Sequence, residues 1–136
     1  ENVQLNVTAI LTDLQVAEVA EALDSNVAAF VSVFAGRIAD TGLDPILIMK
    51  RSLELLEKKP LAELIWASPR ELLNVFQADA IGCHVLTATP NVLGKLSLVG
   101  KDLTSYSLET VEMFRQDALK AGFSIPVSTK HSNKNI

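Results

Sequence analysis

Cysteine is nearly absent from this chain: Cys83 is the only one in 136 residues. One thiol cannot form an internal disulfide framework or build a thiolate zinc site, and its solitude suits a reducing, cytoplasmic compartment. An excess of basic residues is also lacking. A net charge of -4 and an isoelectric point near 5.1 argue against a general nucleic-acid or anionic-membrane binder, while leaving room for a local cationic pocket. No apolar run is long enough to span a bilayer, and no basic N-terminal region precedes a signal-like apolar core. The expected partner is therefore small, with no nucleic acid and no membrane. Methionine is missing from the first position too; the chain opens on Glu1 and enters an apolar strand almost at once, which reads as a piece cut from something longer.

What is present is hydrocarbon. Hydrophobic residues make up 49% of the chain, enough for a real core across one compact unit. Four apolar runs rich in β-branched residues alternate with segments of helical period. The first, Val3 to Leu11, leads into Thr12-Asp13-Leu14-Gln15, a capping box, and a helix whose apolar face includes Leu14, Ala20 and Leu23. The second, Ala28 to Phe34, passes through a longer loop to Asp44-Pro45, an N-cap with proline at the first helical position, and a helix to about Glu57. The third, Ala62 to Ala67, runs into Ser68-Pro69-Arg70-Glu71, again with the pattern of a capping box, and a helix to about Asp79 that Gly82 stops. The fourth, Cys83 to Thr87, precedes Thr89-Pro90 and a short helix; a last amphipathic helix is predicted from about Ser107 to Ala121. Beyond Ser124 the chain turns polar and reads as a disordered tail over 124–136, leaving 1–123 as the folded part.

The strands are nearly continuous in apolar character, as expected when both faces of a parallel sheet are covered. Repeated βα units of roughly thirty residues imply right-handed crossovers. Four such units make a small open sheet or half of an eight-stranded barrel, because a complete (β/α)8 chain needs about 250 residues. The length favours half a TIM barrel.

In parallel α/β proteins the active groups gather at the carboxyl ends of the strands. Asn6 and Thr8, two apart in the first strand, are expected on one face; Ser32 and Phe34 share a face of the second, and Gly36-Arg37 follows at its end. The third strand ends in Ser68, with Arg70 in the predicted first helical turn. Two arginines and two helix N-termini converging on one rim match a phosphate monoester, since a guanidinium fork fits phosphate oxygens and first-turn N–H groups add donors. Gly36 would let backbone approach the anion, and Ser68 either caps its helix or turns its hydroxyl to the ligand. A cation near a helix N-terminus costs about 0.3 to 1 kcal/mol unless an anion sits beside it, so Arg70 points to a bound anion. The competing reading is an ordinary capping box with Arg70 in solvent.

At these residues the chain resembles the transaldolases: N-V-T at Asn6 to Thr8, S-V-F-A-G-R-I at Ser32 to Ile38 and A-S-P-R at Ala67 to Arg70. The resemblance runs over residues 1 to 123 and implies the C-terminal half of a (β/α)8 barrel, about strands five to eight. It implies transfer of a dihydroxyacetone unit from a ketose phosphate to an aldose phosphate through a lysine Schiff base, within the pentose phosphate pathway. The implied ligands are fructose 6-phosphate, sedoheptulose 7-phosphate, erythrose 4-phosphate and glyceraldehyde 3-phosphate; no metal or organic cofactor is implied. Arg37, Ser68 and Arg70 would hold the phosphate, while Asn6, Thr8 and Ser32 would line the pocket against the sugar hydroxyls, the catalytic water and the Schiff-base nitrogen. Phe34 stands where the related fructose-6-phosphate aldolases carry tyrosine, which implies the transferase branch. Pro69 departs from the aromatic residue of larger family members. The Schiff-base lysine and its acidic partners would precede Glu1, so the chain alone is expected to bind phosphate weakly, if at all, and to be inactive, to need the N-terminal half of the barrel as a partner, and to form a homo-oligomer when intact. No lysine here suits the role, because each falls on a helix, a loop or the tail, whereas a neutral amine calls for an apolar strand.

Other residues have plainer readings. Cys83 and His84 are adjacent in a strand, point to opposite faces and cannot form a nucleophilic couple; Cys83 reads as core. Asp44 reads as an N-cap and Asp40 as an ion-pair or loop residue; Trp66 reads as packing, His131 as tail, and Lys58-Lys59 as a solvated helix end. The alternative function is a non-catalytic α/β module that binds a phosphorylated ligand, or a partner through its unpaired sheet edges.

Overall fold

The computed structural model describes residues 3–123; the tail expected at 124–136, with His131, lies outside them. By internal contacts the chain divides into two units, Glu1–Ser97 and Leu98–Ile136.

The first unit is built on four parallel strands, β1 (Leu5–Ile10), β2 (Ala29–Val33), β3 (Ala62–Trp66) and β4 (Val85–Leu86), hydrogen-bonded in the order β1-β2-β3-β4. Between them run α1 (Asp13–Ala22), α2 (Ala35–Asp40), α3 (Pro45–Leu56) and α4 (Leu73–Ala80), and α5 (Pro90–Gly94) follows β4. The start signals read from sequence act as expected at three helices. Thr12 and Gln15 form a reciprocal capping box on α1, Asp44 accepts from the Ile46 N–H ahead of α3 with Pro45 in the first turn, and Thr89 caps α5 ahead of Pro90.

Elsewhere the chain departs from the expected boundaries, through local hydrogen bonds at α2 and α4 and a contact distant in sequence at β4. Six residues of the expected loop after β2 form α2: the Phe34 carbonyl accepts from the N–H groups of Arg37 (2.9 Å) and Ile38 (3.1 Å), and Ala35 and Ile38 are buried. Ser68 does not cap α4. It takes a left-handed conformation (φ 60°), and the side chain of Asn74 gathers the N–H groups of Arg70 (2.8 Å) and Glu71 (3.0 Å), so α4 starts only at Leu73. The fourth strand is shorter than predicted because the imidazole Nδ1 of His84 accepts the Leu64 N–H at 3.0 Å, putting a side chain where a ladder bond would run.

With right-handed crossovers, a strand order that never reverses places every connecting segment on the same side of the sheet. The burial pattern agrees. Val31 and Val33 of β2 stand opposite Leu64 and Trp66 of β3 and pack with Val16, Ala20, Met49 and Leu56 of α1 and α3 in a single core. Each such side chain fully removed from water contributes about 1.5 to 3 kcal/mol. The alternate positions form the other face, where Asn6 and Glu63 are exposed and Ile65 is buried without joining that core. The helices that connect the strands thus cover one face of the sheet. The inward run of β2 looked continuous because Ser32, like its valine neighbours, is buried.

The second unit holds α6 (Leu103–Lys120), four residues earlier in start than predicted because Asp102 is its cap, accepting from the Ser105 N–H at 2.8 Å. Lys101 pairs with Glu109 and lies 4.7 Å from the centroid of the Tyr106 ring. No helix among the described residues is long and apolar enough to cross a membrane.

Candidate functional site

The polar residues of β1 and β2 meet at the open face. Asn6 and Phe30 are register partners, and the Ser32 hydroxyl donates to Asn6 Oδ1 at 2.7 Å. Ser32 is 4% exposed, so this bond satisfies a hydroxyl that would otherwise be costly to bury. The strand is irregular just beyond: Val7 pairs with Val31 and Ile10 with Val33, so Thr8 and Ala9 together stand opposite the single position of Ser32. Ala9 absorbs this bulge with φ 63°, a left-handed conformation that costs a non-glycine residue about 1 to 2 kcal/mol. Bulges of this kind re-aim side chains at sheet rims.

At the end of β2 the chain turns directly into α2, and Gly36 is the hinge of the arrangement. Its N–H donates to the Ala67 carbonyl at 3.2 Å, and a β-carbon placed on it would lie 1.5 Å from the carbonyl oxygen of Ser68. The glycine thus serves a close approach between α2 and the loop after β3, not the anion approach expected from sequence. Arg37, the next residue, is exposed, with its guanidinium carbon 5.5 Å from the centroid of the half-buried Phe34 ring. That cation–π contact directs a long, entropically free side chain.

Arg70 has a partner that sequence reading placed only loosely. Its Nε donates to Asp40 Oδ1 at 3.2 Å and its Nη2 to Asp40 Oδ2 at 2.5 Å, a two-pronged ion pair from the loop to the last residue of α2. The anion that a cation in this position calls for is, within the chain, Asp40. Ser68, Pro69 and Arg70 line a hollow of about 320 Å3 with Thr87, Ala88 and Thr89; Arg70 and Asp40 also line one of about 460 Å3 that reaches to Leu43 and Gln77. Arg37 lines neither. The structure therefore brings the segments bearing Arg37, Ser68 and Arg70 into contact and pairs Ser32 with Asn6, while the two guanidinium groups are held by different neighbours.

Thr87 and Thr89, Asp40 and Asn74 were missed as site residues. The rule that function collects at strand ends covers Thr87 and Thr89, which sequence reading used only as a strand end and a cap. No local signal marks Asn74, whose role depends on Ser68 being left-handed. A separate hollow of about 550 Å3 lies between α1 and α3, lined in part by Glu21, Glu54, Arg51, Lys58 and Lys59; it is remote from the strand ends, and its charges of both signs offset one another.

Two of the plainer readings change: Cys83 and His84 precede β4 instead of lying in it, and Lys59 is half-buried, its Nζ donating to the Leu23 carbonyl at 2.5 Å. Cys83 is partly buried, its Sγ 3.4 Å from the carbonyls of Leu64 and Val85, and burial pushes the thiol above its ordinary range. His84 faces Leu64 and not Cys83. Trp66 is wholly buried, with its Nε1 unpartnered. Among the described residues no lysine lies in a strand, and no group of three or more His, Cys, Asp or Glu residues is placed to hold a metal ion.

A family model described as transaldolase/fructose-6-phosphate aldolase matches residues 1–131. A probable transaldolase of Thermoanaerobacter sp. is 32% identical over 126 residues, covering 92% of this chain and 54% of the relative. One from Mesorhizobium japonicum is 35% identical over 99 residues, 72% of this chain and 43% of the relative. One from Nitrosopumilus maritimus is 31% identical over 111 residues, 80% and 47% respectively. The chain spans about half the length of the curated relatives it matches.

Proposed function

The chain belongs to the transaldolase/fructose-6-phosphate aldolase family, and from that membership we propose that it forms the phosphate-binding side of a transaldolase. In this reading the four βα units are half of a (β/α)8 barrel, a piece of whose interior wall is the open face carrying Asn6, Ser32 and Glu63. A parallel sheet wound in one direction is the arrangement that closes at about eight strands, with inward side chains filling the interior. The substrates are ketose and aldose phosphates, the transferred group is a dihydroxyacetone unit held as a Schiff base, and the pathway is the pentose phosphate pathway. The intact enzyme is a cytoplasmic homo-oligomer.

The observation that supports this reading is the close approach of Gly36, the residue before Arg37, to Ser68, two residues before Arg70, at the carboxyl ends of neighbouring strands. Phosphate oxygens would be taken by the two guanidinium groups and the Ser68 hydroxyl. Asn6, through its amide NH2, with Thr8 and Ser32, would face the sugar hydroxyls and the Schiff-base nitrogen. Phe34 offers no hydroxyl for protonating a carbanion, which favours holding that intermediate for an incoming aldehyde. Among the described residues no lysine is suited to be the nucleophile, because a neutral amine needs an apolar strand and none of them occupies one; in this reading the first half of the barrel supplies it.

Co-expression with the first half of a relative such as the Thermoanaerobacter protein tests the reading. Borohydride should then trap fructose 6-phosphate on that half's lysine only when this chain is present. Replacing Arg37 or Arg70 by alanine should weaken substrate binding by about tenfold to a hundredfold each, the worth of a charge-assisted hydrogen bond. Trapping that is independent of this chain, or unmoved by both substitutions, would favour the non-catalytic module.

A further inference from the structure

We propose that Asp40 is a positioning residue for phosphate recognition: it grips one edge of the Arg70 guanidinium and turns the other edge to the anion. The inference rests on the phosphate-binding reading above and adds a residue to it. A guanidinium has five N–H donors in a plane. Asp40 takes the Nε–H and one hydrogen of Nη2, which leaves both hydrogens of Nη1 and the second of Nη2 for an external acceptor. One of the Nη1 hydrogens and the free Nη2 hydrogen lie parallel on the adjacent edge of the plane, a fork suited to two phosphate oxygens, and the other Nη1 hydrogen points to the side of Cδ.

Two further observations favour orientation over stability as the purpose of the pair. Both side chains are about half exposed, 50% for Arg70 and 51% for Asp40, where an ion pair contributes little to folding. The backbone beneath Arg70 is independently fixed, since Asn74 holds the N–H groups of Arg70 and Glu71 and Gly36 abuts Ser68. The loop does not need Asp40 to stay in place; the flexible arginine side chain does.

Charge makes the proposal sharp. A carboxylate beside an anion site repels the anion, so removing a merely neutralising Asp40 should tighten phosphate binding. Removing a positioning Asp40 should loosen it. The full chain, labelled so that the arginine Nε–H signals are resolved by NMR, is titrated with inorganic phosphate. Phosphate is expected to shift the Arg70 signal in the unaltered chain. Asp40→Asn and Asp40→Ala should raise the dissociation constant of the order of tenfold, as misplacement of a binding group does, and should shift and broaden the ligand-free Arg70 signal. Asp40→Glu, which keeps the fork, should restore most of the affinity. The melting temperature should not move, which separates orientation from folding. Equal or tighter binding by Asp40→Asn, with binding lost in Arg70→Ala, would overturn the role of Asp40 and leave the phosphate site standing. No phosphate-dependent shift at Arg70 in the unaltered chain, or binding unaffected by Arg70→Ala, would overturn the phosphate site itself and Asp40 with it.

Discussion

A hydrogen atom on Gly36 separates two backbones that a methyl group would drive apart. Because the obstacle is the carbonyl oxygen of Ser68 and not a side-chain end, no rotamer relieves it. Gly36→Ala should destabilise the first unit by about 3 kcal/mol, at the upper end of typical overpacking costs, and lower its melting temperature by roughly 10 °C or more. Calorimetry would check this. Cys83 offers a second test. Burial raises its thiol above the ordinary range, so at neutral pH it should react with a disulfide reagent much more slowly than free cysteine and reach the free rate once the chain is unfolded by urea. At this scale the sequence was legible where a residue's role is set by its own strand. Asn6 and Ser32 were expected as polar interruptions of the first and second strands, and they are hydrogen-bonded. It was illegible where a role is set across loops: the partner of Arg70 is thirty residues away in the chain, and nothing in S-P-R-E tells that Ser68 is left-handed.

Helix starts carry their own chemistry, and this is why α1, α3 and α5 were readable while α2 was not. Thr12, Asp44 and Thr89 each supply an oxygen to an N–H that the helix leaves unpaired. Phe34 supplies none at α2, whose six residues depend on packing against β3's loop. Thr12→Ala should accordingly cost about 1 kcal/mol, measured by urea unfolding, because the Gln15 N–H loses its acceptor while Gln15 Oε1 still takes the backbone N–H of residue 12. In α6 the signs of two shifts predict a response to acid. Asp102 is held below the usual carboxylate range by the N–H and hydroxyl of Ser105, and Glu112 by the side-chain amide of Gln116 and then by Arg115. A carboxylate whose folded value is lowered stabilises the helix above the unfolded value and loses that effect as pH falls through the folded one. Amide signals at Thr104 and Ser105 should therefore stay helical from pH 7 to about 5 and weaken below about pH 4.

For the molecule as a whole, the decisive property is the direction in which the sheet is wound. Continuous apolar strands suggested burial on both faces, and hydropathy alone does not distinguish a wall of helices from the packed inside of a closed sheet. The strand order shows where the helices are: without a reversal, the connecting helices remain on one side. Trp66 provides the global reporter. It is the one tryptophan in the sequence and is wholly buried on the helix-covered face, so its emission should resist acrylamide quenching until the first unit unfolds.

One-way winding also means that each strand-helix unit repeats the same step as the one before it. An added unit at either flank could therefore continue the same order of strands. If the sheet is half of the proposed barrel, such an architecture could be assembled by concatenation or by the meeting of separately made pieces, its ring complete only when the first and last steps come together.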